Sequence, residues 1–322
     1  MDQVTDAALV DHRWSHGGLF TLGEALAVFL PCDDAPLESS SIYRRTVAGS
    51  ETNVAAAVTR LGLPACLVTI VGKDALGDAV KQTLTMWGID ARVNRSDRTT
   101  GVLIRDLFAH SSGRSVNLRK ASAATDLSPA HVDQVWSGEA DAVFVTGITA
   151  VRSPSALAAV QHTVKLARST GAFVVVDPNF RPSLGGVDQF SSALASIRGQ
   201  VDVAIGDEGE LALLSGTSPR DAVSALLDQG CTWVVTKLGA AGAIATNEAV
   251  QHRVESRATT VIDTVGAGDA FAAGVIVGLI EGKPMTDALE LASAVAACVV
   301  GTAGDIEGLP YRHEICSEGA SK

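Results

Sequence analysis

"DTVGAGDAFAAGVIVGL", residues 263–279, sets a glycine-broken turn holding one carboxylate directly before a long apolar run. Asp269 has two readings there. As an N-cap it would satisfy free backbone N–H groups at the positive end of a helix. A cap does not explain Gly266 and Gly268 on either side of Ala267, since each glycine costs backbone entropy and capping needs none. Glycines let a backbone approach a ligand closely, and N–H groups at a helix start attract anions. The second reading is therefore an anion cradle, residues 266–268, with Asp269 as a base inside it.

Outward from this stretch the text alternates strand and helix. "SETNVAAAVTRLG" reads as a helix closed by Gly62, "ACLVTIVG" as a strand and "ALGDAVKQTLTMWG" as a helix closed by Gly88. The pattern resumes with "DAVFVTG", a helix over 153–169, "AFVVVDPN", a helix after Gly186, "VDVAIGD", helices near 208–229, and "TWVVTKLG". Strands apolar throughout and separated by helices predict an α/β fold whose largely parallel sheet is covered on both faces. Ligands in such folds gather at the carboxyl ends of the strands, where "DPNFR", "GDEGE", "KLGAAG" and "DTVGAGD" all fall.

The main α/β domain is expected over 17–39, 50–98 and 121–322, with "GLFTLGEALAVFL" as its first strand and residues 1–16 as a loose tail. "SSIYRRTVAG" (40–49) and "TTGVLIRDLFAHSSGRSVNLRK" (99–120) break the alternation. The second alternates about the turn "HSSGR", so the two segments predict a small β lid over the crevice.

Composition limits the partners. The 322 residues are 47% apolar and 19% charged, with a formal net charge of −11. An acidic chain lacks the basic face that nucleic acid or an anionic membrane surface would need. The apolar runs fall short of the roughly 20 residues that span a bilayer. Five scattered cysteines without a C-x-x-C pair fit a reducing compartment, and the acidic N-terminus is unlike a signal peptide, which makes the cytoplasm the expected location. His12 and His16 have i, i+4 spacing but no third metal ligand.

From Leu22 to Pro310 the chain resembles the ribokinase-like, PfkB-type carbohydrate kinases. "AGSETNVAAAVTRLG" is similar to that family's N-terminal signature and "DTVGAGDAFAAG" to its C-terminal one, with Ala48 where glycine is usual. The resemblance implies a ribokinase-like fold, ATP and Mg²⁺ as cofactors, Asp269 as catalytic base, and Gly266, Ala267 and Gly268 as the anion hole. Gly49 and Asn53 would touch the sugar. "GDEGE" resembles the family's N-x-x-E element, so Glu210 would place Mg²⁺ through water, with Asp207 where asparagine is usual. Lys237, Gly239 and Gly242 of "KLGAAG" would lie against the nucleotide, and no Walker pattern is present.

Asp263 could be a turn-former; the resemblance implies instead that, with carbonyls from "VVGTAGDIEG", it helps form a monovalent-cation site for K⁺. Arg119 and Arg181 facing one crevice would suit a carboxylate or phosphates. "TLGEALAVFLP", "RKASAA" and "GDIEGLP" most resemble the 2-keto-3-deoxygluconate kinases, where the residues matching Arg119 and Asp305 contact substrate. Asn117 and Leu118 replace aromatic residues common there. The substrate expectation is thus a sugar acid. A neutral sugar, as in fructokinases and ribokinases, and a sensor without turnover are the alternatives. A homo-oligomer through the lid is compatible with the same resemblance.

Overall fold

A computed structural model describes residues 17–33, 35–106 and 114–318. The expected tail with His12 and His16, and most of the "HSSGR" turn, lie outside the described residues. The strands run β1 (Leu19–Leu22), β2 (Leu26–Pro31), β3 (Tyr43–Ala48), β4 (Ala65–Gly72), β5 (Asp90–Ser96), β6 (Val102–Arg105), β7 (Ser115–Leu118), β8 (Ala142–Thr146), β9 (Phe173–Asp177), β10 (Val203–Gly206), β11 (Trp233–Lys237), β12 (Ala243–Thr246) and β13 (Gln251–Val254).

Among the described residues nine strands form one sheet, in the order β13-β12-β11-β10-β9-β8-β1-β4-β5. From β5 to β11 every neighbouring pair is parallel, and β12 and β13 close that edge as an antiparallel meander. All eight residues of β4 are buried, as a strand covered on both faces requires. Side chains alternate between faces, so the adjacent residues Leu19 and Phe20 enter different cores. Leu19 joins Leu67 and Phe144 beneath the helices Ser50–Arg60, Ala267–Ile280 and Met285–Val300. Phe20 joins Cys66 and Val143 beneath Pro154–Thr170, Val187–Ala195, Glu208–Ser215 and Ala222–Asp228.

The run expected as a single first strand is two. The ladder with β4 continues to Gly23, whose N–H donates to the Val68 carbonyl at 3.1 Å, and the chain then turns out of the sheet. A side chain at Gly23 would overlap the Glu51 carboxylate, so this exit is tight. β2 joins a second sheet of order β3-β2-β6-β7, in which β2 and β6 are parallel and the other pairs antiparallel. Leu26–Pro31, placed by the sequence with the main sheet, thus belongs to the small one. Only Gly23, Glu24 and Ala25 separate the two apolar halves, and both halves are buried, so the change of sheet leaves little trace in the pattern. No helix among the described residues is long and apolar enough to cross a membrane.

Candidate active site

The glycine turn resolves the two readings of Asp269. The helix Ala267–Ile280 has Gly266 as its N-cap, at φ 84°, and Asp269 stands inside the first turn without capping any N–H group. Its carboxylate instead accepts three side-chain hydrogen bonds: Ser50 Oγ at 2.6 Å and Asn179 Nδ2 at 3.2 Å on Oδ1, and Asn53 Nδ2 at 2.7 Å on Oδ2. Gly266 needs its left-handed conformation, and a Cβ there would collide with the Asp305 carbonyl. Gly268 differs: an added Cβ would meet nothing nearer than Lys237 Nζ at 3.6 Å. The fold demands glycine at 266 and leaves open space at 268.

Ser50 and Asn53 sit on the first turn of the helix that follows Gly49, whose own φ of 143° brings the Glu24 carbonyl against it. Asn179 is the one non-glycine residue with positive φ among the described residues, at 45°. Its backbone N–H donates to Asp177 Oδ1 at 2.8 Å, an Asx-type turn that directs the amide toward Asp269. The buried Oδ1 atoms of Asn53 and Asn179 have no partner, leaving two acceptors beside the carboxylate.

Next to this group Lys237, at the end of β11, donates to Asp177 Oδ2 at 2.8 Å and lies 3.3 Å from Glu210 Oε2. Burial pushes the Asp177 carboxyl up to about 6, against the pull of the Lys237 ammonium. Burial acts in the same sense on Glu210, but Lys237 and the Asp207 N–H outweigh it and hold that carboxyl below its ordinary value. Burial opposes the charge on Lys237, and the two carboxylates more than compensate, raising its pKa. Asp207 caps the helix Glu208–Ser215 in a reciprocal capping box with Glu210. From this cluster a cavity of about 550 Å³ extends past Gly239, Gly242, Gly268 and Thr264 to Phe271 and Ala297. It has one charged end and an otherwise largely apolar lining.

A third cluster surrounds Glu24. Arg119 donates from Nε and Nη2 to Glu24 Oε2 at 2.8 and 2.6 Å, and Ser122 Oγ donates to Oε1 at 2.5 Å. Arg152 Nε lies 3.4 Å from the same Oε2, and its Nη2 reaches the Arg119 carbonyl. Burial lowers the Arg152 pKa, Glu24 counteracts this, and Arg119 adds to it. Two buried guanidinium groups therefore share one carboxylate. Arg181 is not the second member of this pair: it is exposed and its charge acts on Glu210.

Asp263 and Asp305 meet at the end of β6. Arg105, the last residue of β6, donates from Nη2 to Asp263 Oδ2 at 2.7 Å and to Asp305 Oδ1 at 2.6 Å, and all three residues are buried. Burial raises the Asp305 carboxyl, Arg105 draws it down, and Asp269 and Asp263 push it up again.

Reading the sequence brought forward Asp269, Asn53, Lys237 and Glu210 but missed Ser50, Asn179, Asp177, Glu24, Arg105 and Arg152. Asn179 alone carried a local signal, since asparagine tolerates positive φ after the proline of "DPNFR".

The chain is 33% identical over 304 residues to the 2-dehydro-3-deoxygluconokinase of Bacillus subtilis (strain 168), covering 92% of this chain and 94% of that protein. It is 27% identical to the 5-dehydro-2-deoxygluconokinase of the same organism, over 87% of this chain and 88% of that one. A crystal structure of fructokinase from Vibrio cholerae O395, in fructose, ADP and calcium ion bound form, superposes with a TM-score of 0.82 at 25% identity, covering 94% and 98% of the two chains. Residues 19–312 match the pfkB family carbohydrate kinase as a whole, both sheets included, and the chain belongs to that family.

Proposed function

We propose that this carbohydrate kinase transfers the γ-phosphoryl group of ATP to a hydroxyl of a sugar acid, 2-keto-3-deoxygluconate foremost. The observation that carries the substrate class is the Arg119–Glu24–Arg152 cluster, where one buried carboxylate faces two buried guanidinium groups. A buried excess of positive charge calls for an anion, and guanidinium meets a carboxylate bidentately. The Glu24 carbonyl packs against Gly49, one residue from Ser50, so the backbone of Glu24 adjoins the helix start that helps hold Asp269. Both Bacillus subtilis relatives are named for acids of the gluconate type.

Asp269 takes the proton of the acceptor hydroxyl as it attacks phosphorus. The bonds from Ser50, Asn53 and Asn179 fix the carboxylate's direction, and the partnerless Oδ1 atoms of Asn53 and Asn179 accept from further sugar hydroxyls. The N–H groups that open the Ala267–Ile280 helix face the charge developing on the phosphoryl oxygens. The cavity past Gly239 and Gly242 receives the nucleoside, and Lys237 meets its phosphates. Glu210 and Asp177 offer oxygen ligands at the charged end, which suits a hard cation held by one or two carboxylates together with substrate phosphates. Mg²⁺ held there would neutralise phosphate charge.

A coupled assay of ADP release over a panel of sugar acids and neutral sugars tests this reading. Turnover of 2-keto-3-deoxygluconate well above that of fructose and ribose is expected. A second reading, 5-dehydro-2-deoxygluconate, shares the carboxylate and is favoured if that acid leads the panel. A neutral sugar in first place overturns the acid assignment and leaves the family intact.

A further inference from the structure

Glu51 stands between Ser50 and Asn53 on the first turn of the helix Ser50–Arg60, and those two neighbours hold Asp269. Its carboxyl is buried, and among the described residues the groups that donate to it are hydroxyls: Thr146 Oγ1 at 2.6 Å and Thr149 Oγ1 at 2.7 Å, both on Oε1. Oε2 packs against Gly23, where an added Cβ would come within 2.4 Å of it. Burial raises the Glu51 carboxyl, the two threonine hydroxyls oppose this, and the Asp269 charge adds to the rise. An acid in such a place costs stability that an apolar side chain of the same size would not.

The two hydroxyls come from the opposite side of the site. Thr146 ends β8 and pairs in register with Asp177, the last residue of β9, from which the chain turns to Asn179. Thr149 lies in the short helix Gly147–Ala150 that follows β8. We propose that Glu51 is the positioning residue of the base: by accepting from Thr146 and Thr149 it sets the first turn of Ser50–Arg60 against the ends of β8 and β9, where Ser50, Asn53 and Asn179 converge on one carboxylate. Ser50 Oγ is the link between the two sides, since it donates to Asp269 and accepts from Asn179 Nδ2 at 2.8 Å. Glu51 does not line the large cavity, so its effect falls on the base and not on the nucleotide. Misplacing a reacting group by about 1 Å can cost about 100-fold in rate.

The inference rests on Asp269 as the base, and its test separates the two. Glu51→Met removes the acceptor and keeps the volume, Glu51→Gln keeps Oε1, and Thr149→Val removes one donor. Glu51→Met, checked for folding by circular dichroism, is expected to lose about tenfold or more in kcat with calorimetric ATP affinity within about twofold of the wild type, and Glu51→Gln to recover most of that loss. Thr149→Val is expected to lose about threefold or more in kcat, and nothing further when added to Glu51→Met. A crystal structure of Glu51→Met is expected to show Ser50 or Asn53 out of hydrogen-bond reach of Asp269. Wild-type kcat in folded Glu51→Met or Thr149→Val overturns the proposal, as does an equal loss in Glu51→Gln and Glu51→Met, or a Glu51→Met structure that keeps both contacts. Should Glu51→Met not fold, Thr149→Val decides. If Asp269→Asn turns over like the wild type, the base reading fails, while the crystal structure still decides whether Glu51 sets these contacts.

Discussion

Asn179 Nδ2 reaches both Ser50 Oγ, at 2.8 Å, and Asp269 Oδ1, at 3.2 Å, although Asn179 and Asp269 are 90 residues apart. The carboxylate is thereby gripped from three elements: the first turn of Ser50–Arg60, the loop after β9 and its own helix. Such a grip fixes one direction for a lone pair. The same three donors keep the charged form satisfied while it is buried.

Asp269→Asn keeps the shape and removes the base. It is expected to lower kcat by roughly 10²–10⁴ with little change in nucleotide affinity, measured by steady-state kinetics and calorimetry. Because Asp269 caps no N–H group, the loss of about 1 kcal/mol that a cap substitution brings is not expected in its unfolding free energy. Wild-type turnover in this variant would remove Asp269 from the chemistry.

Gly268→Val fills the open space toward Lys237 without a backbone clash. Its melting temperature is expected to stay near that of the wild type while ATP binding and kcat collapse. Gly266→Val is expected to fail differently, by loss of folded protein, since its Cβ would enter the Asp305 carbonyl and its φ is left-handed. An active Gly268→Val enzyme would mean that no phosphate approaches that position.

Asp177 gives a pH signature. Its carboxyl is raised from an ordinary value of 3.8 to about 6. Between these values the folded chain binds the proton more tightly than the unfolded chain, so the group's contribution to stability falls as pH rises through that window. Unfolding free energies of wild type and Asp177→Asn across the same range should fall more steeply with pH in the wild type than in the variant. In activity the protonated acid loosens its hold on Lys237. An acidic limb in kcat/KM with a midpoint near 6 is expected, and it should be missing from the Asn variant. Identical profiles for the two enzymes would refute the assignment.

Arg119→Met and Arg152→Met should each reduce the preference for a sugar acid over a neutral sugar. A charge-assisted hydrogen bond of about 1.5–3 kcal/mol corresponds to roughly 10–100-fold in kcat/KM. The change is expected chiefly in the acid's constants. Arg181 stands by Glu210, so its substitution should slow all sugars alike. An unchanged acid preference in both Arg119 and Arg152 variants would separate this cluster from the substrate.

The layered sheet and the glycine turn were legible in the sequence because both are local. Apolar runs, helix-closing glycines and a carboxylate within four residues of Gly266 need no knowledge of topology. What escaped depended on crossings. Ser50 reaches Asp269 across 219 residues and Arg105 reaches Asp305 across 200. No spacing rule links such pairs. Arg152 looks like a surface arginine in "AVRSPS", and the burial of its side chain follows from the Glu24 bend. That bend shows in the sequence only as Gly23 and Glu24 between two apolar halves.

The position of β1 bears on how the protein is made. This strand, the earliest of those described, lies between β4 and β8, with Leu19 paired to both Ala65 and Ala142. During synthesis it has an open edge until residue 146 has emerged, and Thr21 waits that long for the Phe144 carbonyl that accepts from its hydroxyl at 2.7 Å. Exposed apolar strand edges invite pairing between chains. A ribosome-bound fragment ending before β8 therefore carries β1 with one edge unpaired, and the arrival of β8 is the step that closes the middle of the sheet.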